Sequence, residues 1–114
     1  MDISTIIKLT EATLVCGGGK IGNEVERGFS SDLMSDVLTL DTESLLLITG
    51  LSNTQTIRTA EMADIQYILF VRNKKTTGEM IQLAEENNMV ILETSFSMFK
   101  ASGILYSEGL KPVY

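Results

Sequence analysis

The 114-residue chain contains no histidine, one cysteine and one proline. Without histidine it has no Ser-His-Asp or Cys-His nucleophile pair, no imidazole acid–base catalyst and no histidine metal ligand. The single cysteine, Cys16, can form neither an intrachain disulfide nor a thiolate zinc site. Many enzyme classes are therefore excluded before any motif is considered.

Positive charge and long apolar runs are also scarce. Nine Lys and Arg residues stand against fifteen Asp and Glu residues, which gives a formal net charge of −6. This charge repels phosphate backbones and argues against nucleic acid as a partner, although it leaves room for an isolated basic pocket that binds a small nucleotide. No apolar run approaches the ~20 residues that cross a bilayer, and the acidic start at Asp2 is unlike a signal peptide. We expect a cytoplasmic protein without membrane contact.

The apolar pattern that is present predicts an α/β fold in a single domain, residues 1–114. Continuous apolar runs at 44–49, 67–71 and 89–93 are typical of strands covered on both faces. Each run is followed by a segment with helical spacing, which indicates a mostly parallel sheet of about five strands flanked by helices. Helices are also predicted over 3–9 and 31–40, a short strand over 12–16, and a strand or an extended connector over 23–29.

Local signals predict where the helices begin and end. Leu33, Val37 and Leu40 recur at helical spacing, so we expect all three to face the core. Asn87-Asn88 can supply a left-handed C-cap to the helix before it. Helix starts are predicted where a Ser, Thr or Asp precedes a helical pattern: Asp2, Ser52, Thr76 and Ser95.

The glycine-rich stretch "GGGKIG" fits G-x-G-x-x-G through Gly17, Gly19 and Gly22. The dinucleotide-binding fingerprint needs a helix directly afterwards, whereas "NEVERGF" follows. The stretch is not a P-loop either, because Lys20 is not followed by Ser or Thr. A plain turn is favoured, and phosphate contact by its backbone amides is the alternative.

Cys16 and the large apolar residues have simple structural interpretations. Cys16 ends a strand and fits a small buried residue; a reactive thiol would depend on Lys20, the only local cation. The aromatic and methionine side chains fall at strand and helix spacings, which favours core or subunit interface over a base-stacking platform. These residues are Phe29, Phe70, Phe96, Phe99, Met34 and Met80.

The segment "TGLSN", Thr49 to Asn53, joins the end of a predicted central strand to a helix. Ligands gather at such carboxyl ends in parallel sheets, and free backbone amides with a helix dipole suit an anion. Helix capping by Ser52 or Asn53 is the alternative interpretation.

A second polar segment lies in "GFSSDLMSDVL", residues 28–38. Asp32 and Asp36 are one helical turn apart and could hold a divalent cation with other oxygen ligands, but a solvated helix start is favoured. We expect the two segments to form one ligand-binding corner or a subunit contact, with no catalytic and no metal-binding residue. The candidate residues are Ser30, Ser31, Asp32, Ser35, Asp36, Thr49, Gly50, Ser52 and Asn53.

The order of these segments resembles that of DRTGG domains. "GFSSDLMSDVL" is similar to the family's "GYxSDLLSDV", and the similarity continues through "LLLITG" to the "LAEE" helix, the "T-x-x-S-x-F" helix start and the "G-x-LY" ending. Of the five residues that name the family only the last glycine, Gly28, is present; the other places hold Gly22, Asn23, Glu26 and Arg27. The matching residues of the first segment are Gly28, Phe29, Ser31, Asp32, Leu33, Ser35 and Asp36.

This resemblance implies a non-catalytic accessory module. DRTGG domains occur within phosphate acetyltransferases, between the CBS domains of some pyrophosphatases, and in a form similar to the N-terminal domain of HPr kinase; stand-alone copies lie beside iron-hydrogenase genes. The resemblance implies a homodimeric regulatory module that requires no cofactor and binds an adenine nucleotide. The alternative is an interaction subunit that docks on a redox (hydrogenase-associated) or kinase partner without a small-molecule ligand.

Overall fold

A computed structural model describes residues 1–114 and shows one six-stranded sheet with helices on both faces. The helices are α1 (Ile3–Thr10), α2 (Met34–Val37), α3 (Thr54–Met62), α4 (Gly78–Glu86) and α5 (Met98–Ser107). The strands are β1 (Thr13–Cys16), β2 (Arg27–Ser30), β3 (Leu45–Thr49), β4 (Tyr67–Phe70), β5 (Val90–Glu93) and β6 (Lys111–Pro112).

The strand order is β1-β5-β4-β3-β2-β6, and every neighbouring pair is parallel except β1 with β5. The predicted α/β fold with a mostly parallel sheet is confirmed. The sheet has six strands because two residues near the end of the chain, Lys111 and Pro112, pair with Arg27 and Gly28 at the edge. No helix is both long and apolar enough to cross a membrane.

The central strands carry apolar side chains on both faces because helices cover both. Leu46 and Ile48 of β3 pack in one core, which α1 and α5 cover, while Leu45 and Leu47 pack in the other, which α2, α3 and α4 cover. All residues of β3 and β4 are buried. This double coverage explains why these strands are continuous apolar runs in the sequence.

Asp2 caps α1 as predicted. Its Oδ1 accepts hydrogen bonds from the backbone N–H of Thr5 at 2.8 Å and the Ser4 hydroxyl at 3.0 Å. Hydrogen bonds from Thr5 and Ser4 hold the pKa of Asp2 below its ordinary value of 3.8. The cap therefore contributes stability above that value, and the contribution is lost as the pH falls through the lowered pKa.

The other three predicted helix starts are displaced by one or two residues. Two of the predicted caps are engaged elsewhere: the Ser52 hydroxyl donates to the carbonyl of Lys75 at 2.7 Å, and the Thr76 hydroxyl donates to Glu93 at 2.7 Å. Ser95 also lies outside the cap of its helix. The left-handed residue predicted after α4 is present at Asn88. The observed N-caps are Asn53, Thr77 and Ser97.

The helix predicted over residues 31–40 is reduced to the four residues of α2. Val37 is buried as expected and Leu40 is partly buried, but Leu33 is exposed, so its predicted place in the core is wrong. The reason is that Leu33 has extended backbone angles, φ −98° and ψ 105°. α2 begins two residues after Asp32, whose side chain accepts a hydrogen bond from the N–H of Gly50 at the end of β3.

The glycine-rich segment forms a single 3₁₀ turn at Gly18–Lys20, and α2, the next helix, begins only at Met34. The prediction of a turn without the dinucleotide-binding strand–helix arrangement is confirmed. Gly17, just before the turn, has φ +91°, and a Cβ there would lie 2.8 Å from the carbonyl oxygen of Met89. Only glycine fits this position.

Replacing Gly17 with alanine is expected to lower the free energy of unfolding by about 2 kcal/mol or more, from left-handed strain and the backbone clash. Urea unfolding measures this change. Gly19→Ala is the matched control, because a Cβ at Gly19 meets nothing within 4 Å, and its effect should stay within about 0.5 kcal/mol. An equal loss of unfolding free energy in the two variants would contradict the conclusion that only glycine fits at position 17.

Candidate functional site

The two predicted polar segments meet at the carboxyl end of β3. Asp32 Oδ1 accepts hydrogen bonds from the Thr49 hydroxyl at 2.9 Å and from the backbone N–H of Gly50 at 2.7 Å. The backbone N–H of Leu51 donates to Thr49 Oγ1 at 3.1 Å. The sequence-predicted corner therefore forms, with Asp32 at its centre.

Arg72 joins this corner from the segment after β4, two residues beyond Phe70, the last residue of that strand. Its Nη2 lies 3.5 Å from Asp32 Oδ2, and the Arg72 and Asp32 side chains are 52% and 45% exposed. The guanidinium lies against Gly50, where an added Cβ would be 2.5 Å from Nη2. At this exposure the ion pair is worth at most about 1 kcal/mol, so Arg72 orients the carboxylate more than it stabilises the fold.

Three backbone N–H groups at the corner, those of Gly50, Leu51 and Thr56, already have side-chain acceptors. Gly50 N–H donates to Asp32, and Asn53 Oδ1 accepts from the backbone N–H of Thr56 at 2.9 Å. The Thr56 hydroxyl donates to the carbonyl of Leu51 at 2.7 Å. A phosphate at this place would compete with the carboxylate of Asp32 for the amide and would be repelled by its charge. The capping interpretation of Asn53 therefore accounts for the start of α3.

The remaining predicted site residues point to different places. The Ser31 hydroxyl accepts from the N–H of Leu33 at 3.0 Å, which shapes the turn before α2. The Ser30 hydroxyl lies 2.6 Å from that of Ser102 on α5, on the opposite face of the sheet. Ser52 binds a backbone carbonyl, as described above. Exposed Ser35 lies on α2 and makes no contact with the corner network.

Asp32 and Asp36 do not form a paired carboxylate site. Asp32 precedes α2 and is directed to β3, while Asp36 lies on α2 and is exposed. No group of three or more His, Cys, Asp or Glu side chains is placed to hold a metal ion. The expectation that they share a helix face is wrong, because α2 begins only at Met34.

Cys16 is buried, and its Sγ lies 3.6 Å from the carbonyl oxygen of Met89. Burial raises the pKa of the Cys16 thiol, which disfavours the reactive thiolate. Lys20 donates to the carbonyl of Asn88 instead of supporting a thiolate. The interpretation of Cys16 as a small buried residue is confirmed.

Three of the positions that hold the family-naming residues in DRTGG domains make structural contacts in this chain. A Cβ at Gly28 would lie 2.9 Å from Cδ2 of Leu110, so a larger residue there requires the Leu110 side chain to shift. Arg27 donates to the carbonyl of Pro112 at 2.8 Å and fastens β6 to β2. The Asn23 amide donates to the Tyr67 hydroxyl at 3.1 Å.

A second concavity, called here the α5 groove, lies between α5 and the β2–β6 edge of the sheet and encloses about 470 Å³. Its rim carries the exposed aromatic side chains of Phe99, Tyr106 and Tyr114. The hydroxyl pair of Ser30 and Ser102 also lines it. Of the residues that line this groove, the sequence predicted only Ser30 as part of a binding site. The spacing of Phe99 and Tyr106, which places both on one face of a helix, was the signal in the sequence for its aromatic side.

The other sequence-predicted aromatic and methionine positions are mainly core. Phe70 and Met80 are fully buried. Three more pack partly buried against the cores: Phe29, Met34 and Phe96. Phe99 is the exception, because its ring is exposed beside the α5 groove.

Asp32→Ala is expected to lower the free energy of unfolding by about 1–3 kcal/mol, because it leaves the Thr49 hydroxyl and the buried Gly50 N–H without their acceptor. Chemical denaturation measures the loss. Asp36→Ala removes an exposed carboxylate of the same segment and should change stability by less than about 0.5 kcal/mol. If Asp36→Ala is the more damaging variant, the role assigned to Asp32 is wrong.

Among solved structures, the chain is similar to the CBS and DRTGG domains of the regulatory region of Clostridium perfringens pyrophosphatase, complexed with the activator diadenosine tetraphosphate. The TM-score is 0.74 and the sequence identity 15%; the match covers 91% of this chain and 45% of that one. This chain therefore spans less than half of that structure. No family model and no curated protein matches the sequence.

At 15% identity the likeness establishes the fold alone. The resemblance inferred from the order of sequence segments is confirmed at this level. The fold of the chain is DRTGG-like.

Proposed function

We propose that this chain is a non-catalytic regulatory module that binds an adenine nucleotide. The observation that carries the proposal is the fold shared with part of a regulatory region whose structure was solved in complex with an adenine-containing activator. The order of the sequence segments, which resembles that of DRTGG domains, independently supports a regulatory module.

The chemistry of the polar corner supports a structural role over a catalytic one. Asp32, Thr49 and Arg72 bond to one another or to backbone. An aspartate that accepts from a hydroxyl and an amide holds the loop in place, and neither histidine nor a second carboxylate stands beside it to move a proton.

Adenine nucleotides are expected to stabilise the folded chain. A ligand at one hundred times its dissociation constant adds ~2.7 kcal/mol to stability, which corresponds to a rise in Tm of about 10 °C for a domain of this size. Thermal unfolding with ATP, ADP, AMP and diadenosine tetraphosphate measures the shift, and ribose 5-phosphate controls for sugar and phosphate binding. No shift with any of the four nucleotides at millimolar concentration would refute the proposal.

We further propose that the module is a homodimer whose subunits meet through the α2–α3 layer. The observation in favour is a set of exposed apolar side chains on these two helices and their ends. Leu33, Leu38 and Met62 are 57%, 49% and 64% exposed. Exposed apolar groups of this size favour a contact with another protein surface, and a redox or kinase partner is the alternative occupant.

Light scattering at micromolar concentration is expected to give twice the 12.5 kDa mass of the chain. The double variant Leu33→Ser, Leu38→Ser should be monomeric, because two apolar contacts are lost. Phe99→Ser, on the opposite face of the sheet, serves as the matched control and should remain dimeric. A monomeric wild-type chain would overturn the dimer, and dissociation by Phe99→Ser alone would move the contact to α5.

A further inference from the structure

We infer that the α5 groove binds the base of the nucleotide, while the polar corner at the end of β3 does not. The inference rests on the proposed function and names the site within it. It differs from the sequence expectation, which placed the ligand between residues 30–36 and 49–53.

The size and rim of the groove suit a planar aromatic ligand. Its volume of about 470 Å³ lies in the range of small-molecule sites. Phe99, Tyr106 and Tyr114 are 90%, 69% and 94% exposed at its rim. Aromatic rings held at a protein surface offer faces on which a base stacks, and base–aromatic stacking is a main source of affinity for nucleotides.

The helix α5 leaves space for such a ring. Phe99 and Tyr106 are seven residues apart and therefore share a face, with Gly103 between them on that face. Glycine inside a helix costs stability relative to alanine. No close contact in the fold requires it, because a Cβ at Gly103 would meet nothing within 4 Å. The absent side chain keeps the groove open.

The polar groups of the groove fit the edge of a base and an anionic tail. The Ser30 and Ser102 hydroxyls share one hydrogen bond of 2.6 Å, which leaves each with further donor or acceptor capacity. Lys111 supplies the only charged side chain that lines the groove. In a chain of net charge −6, a groove lined by a lysine and by no Asp or Glu side chain is a local exception that favours a phosphate group.

The polar corner lacks these properties. Its strand-end amide at Gly50 is already bonded to the carboxylate of Asp32. A phosphate bound at this amide would have to displace the Asp32 carboxylate, and one bound beside it would be repelled by the same charge. In the groove, Lys111 has no such competitor, since it forms no ion pair.

Isothermal titration of the full chain tests the inference with ATP, adenosine and inorganic triphosphate as separate probes. We expect Phe99→Ala to weaken ATP and adenosine about tenfold or more, since the stacking face is removed. Gly103→Phe should abolish binding of both by filling the groove. Lys111→Gln should weaken ATP and leave adenosine unchanged. Ile21→Ala removes an exposed apolar side chain that does not line the groove; this variant is the control and should bind as wild type.

Circular dichroism confirms that each variant is folded, and Phe99→Ala is the decisive variant because its side chain is almost fully exposed. If wild type binds ATP and Phe99→Ala and Lys111→Gln bind it equally well, the groove is refuted while the proposed function stands. If wild type binds no adenine nucleotide, the proposed function itself fails. Binding of triphosphate as tight as that of ATP would also overturn the inference, because the base would then contribute nothing.

Discussion

One carboxylate, that of Asp32, joins three separate segments of the chain. The end of β3 is buried, so the N–H of Gly50 needs a hydrogen-bond partner within the protein. Asp32 supplies it from the segment after β2, and Arg72 approaches the same carboxylate from the segment after β4. Because Asp32 must reach β3, the chain stays extended through Leu33, and α2 is left with only four residues.

The hydrogen bond between Asp32 and Gly50 also affects where a ligand can bind. In many parallel sheets the carboxyl ends of the strands leave amides free for an anion. In this chain a negative side chain occupies that position at β3, and the next helix start is capped by Asn53. The open concavity lies elsewhere, on the face covered by α5, and it is lined by aromatic side chains and a lysine. A shared DRTGG-like fold therefore does not imply a ligand at the strand ends.

The parts of the fold that depend on neighbouring residues could be predicted. Asp2 caps the helix that starts beside it, and Asn88 provides the left-handed residue after α4, because both effects are confined to one helical turn. The displaced caps show the limit of local signals. Ser52 and Thr76 fit the capping pattern as well as their neighbours do, but distant partners, the carbonyl of Lys75 and the carboxylate of Glu93, engage their hydroxyls.

The sequence by itself determined the central strands β3, β4 and β5, because strands buried on both faces are continuous apolar runs, and this pattern can be recognised in the sequence alone. It also determined that Ser30–Asp36 and Thr49–Asn53 lie at one edge. Only the tertiary structure decided what these segments do there. Asp32 is directed to the amide of Gly50, and Ser30 is directed to Ser102 on α5. The α5 groove unites β2, α5 and the segment from Leu110 to Tyr114; their proximity follows from strand pairing, which no local pattern specifies.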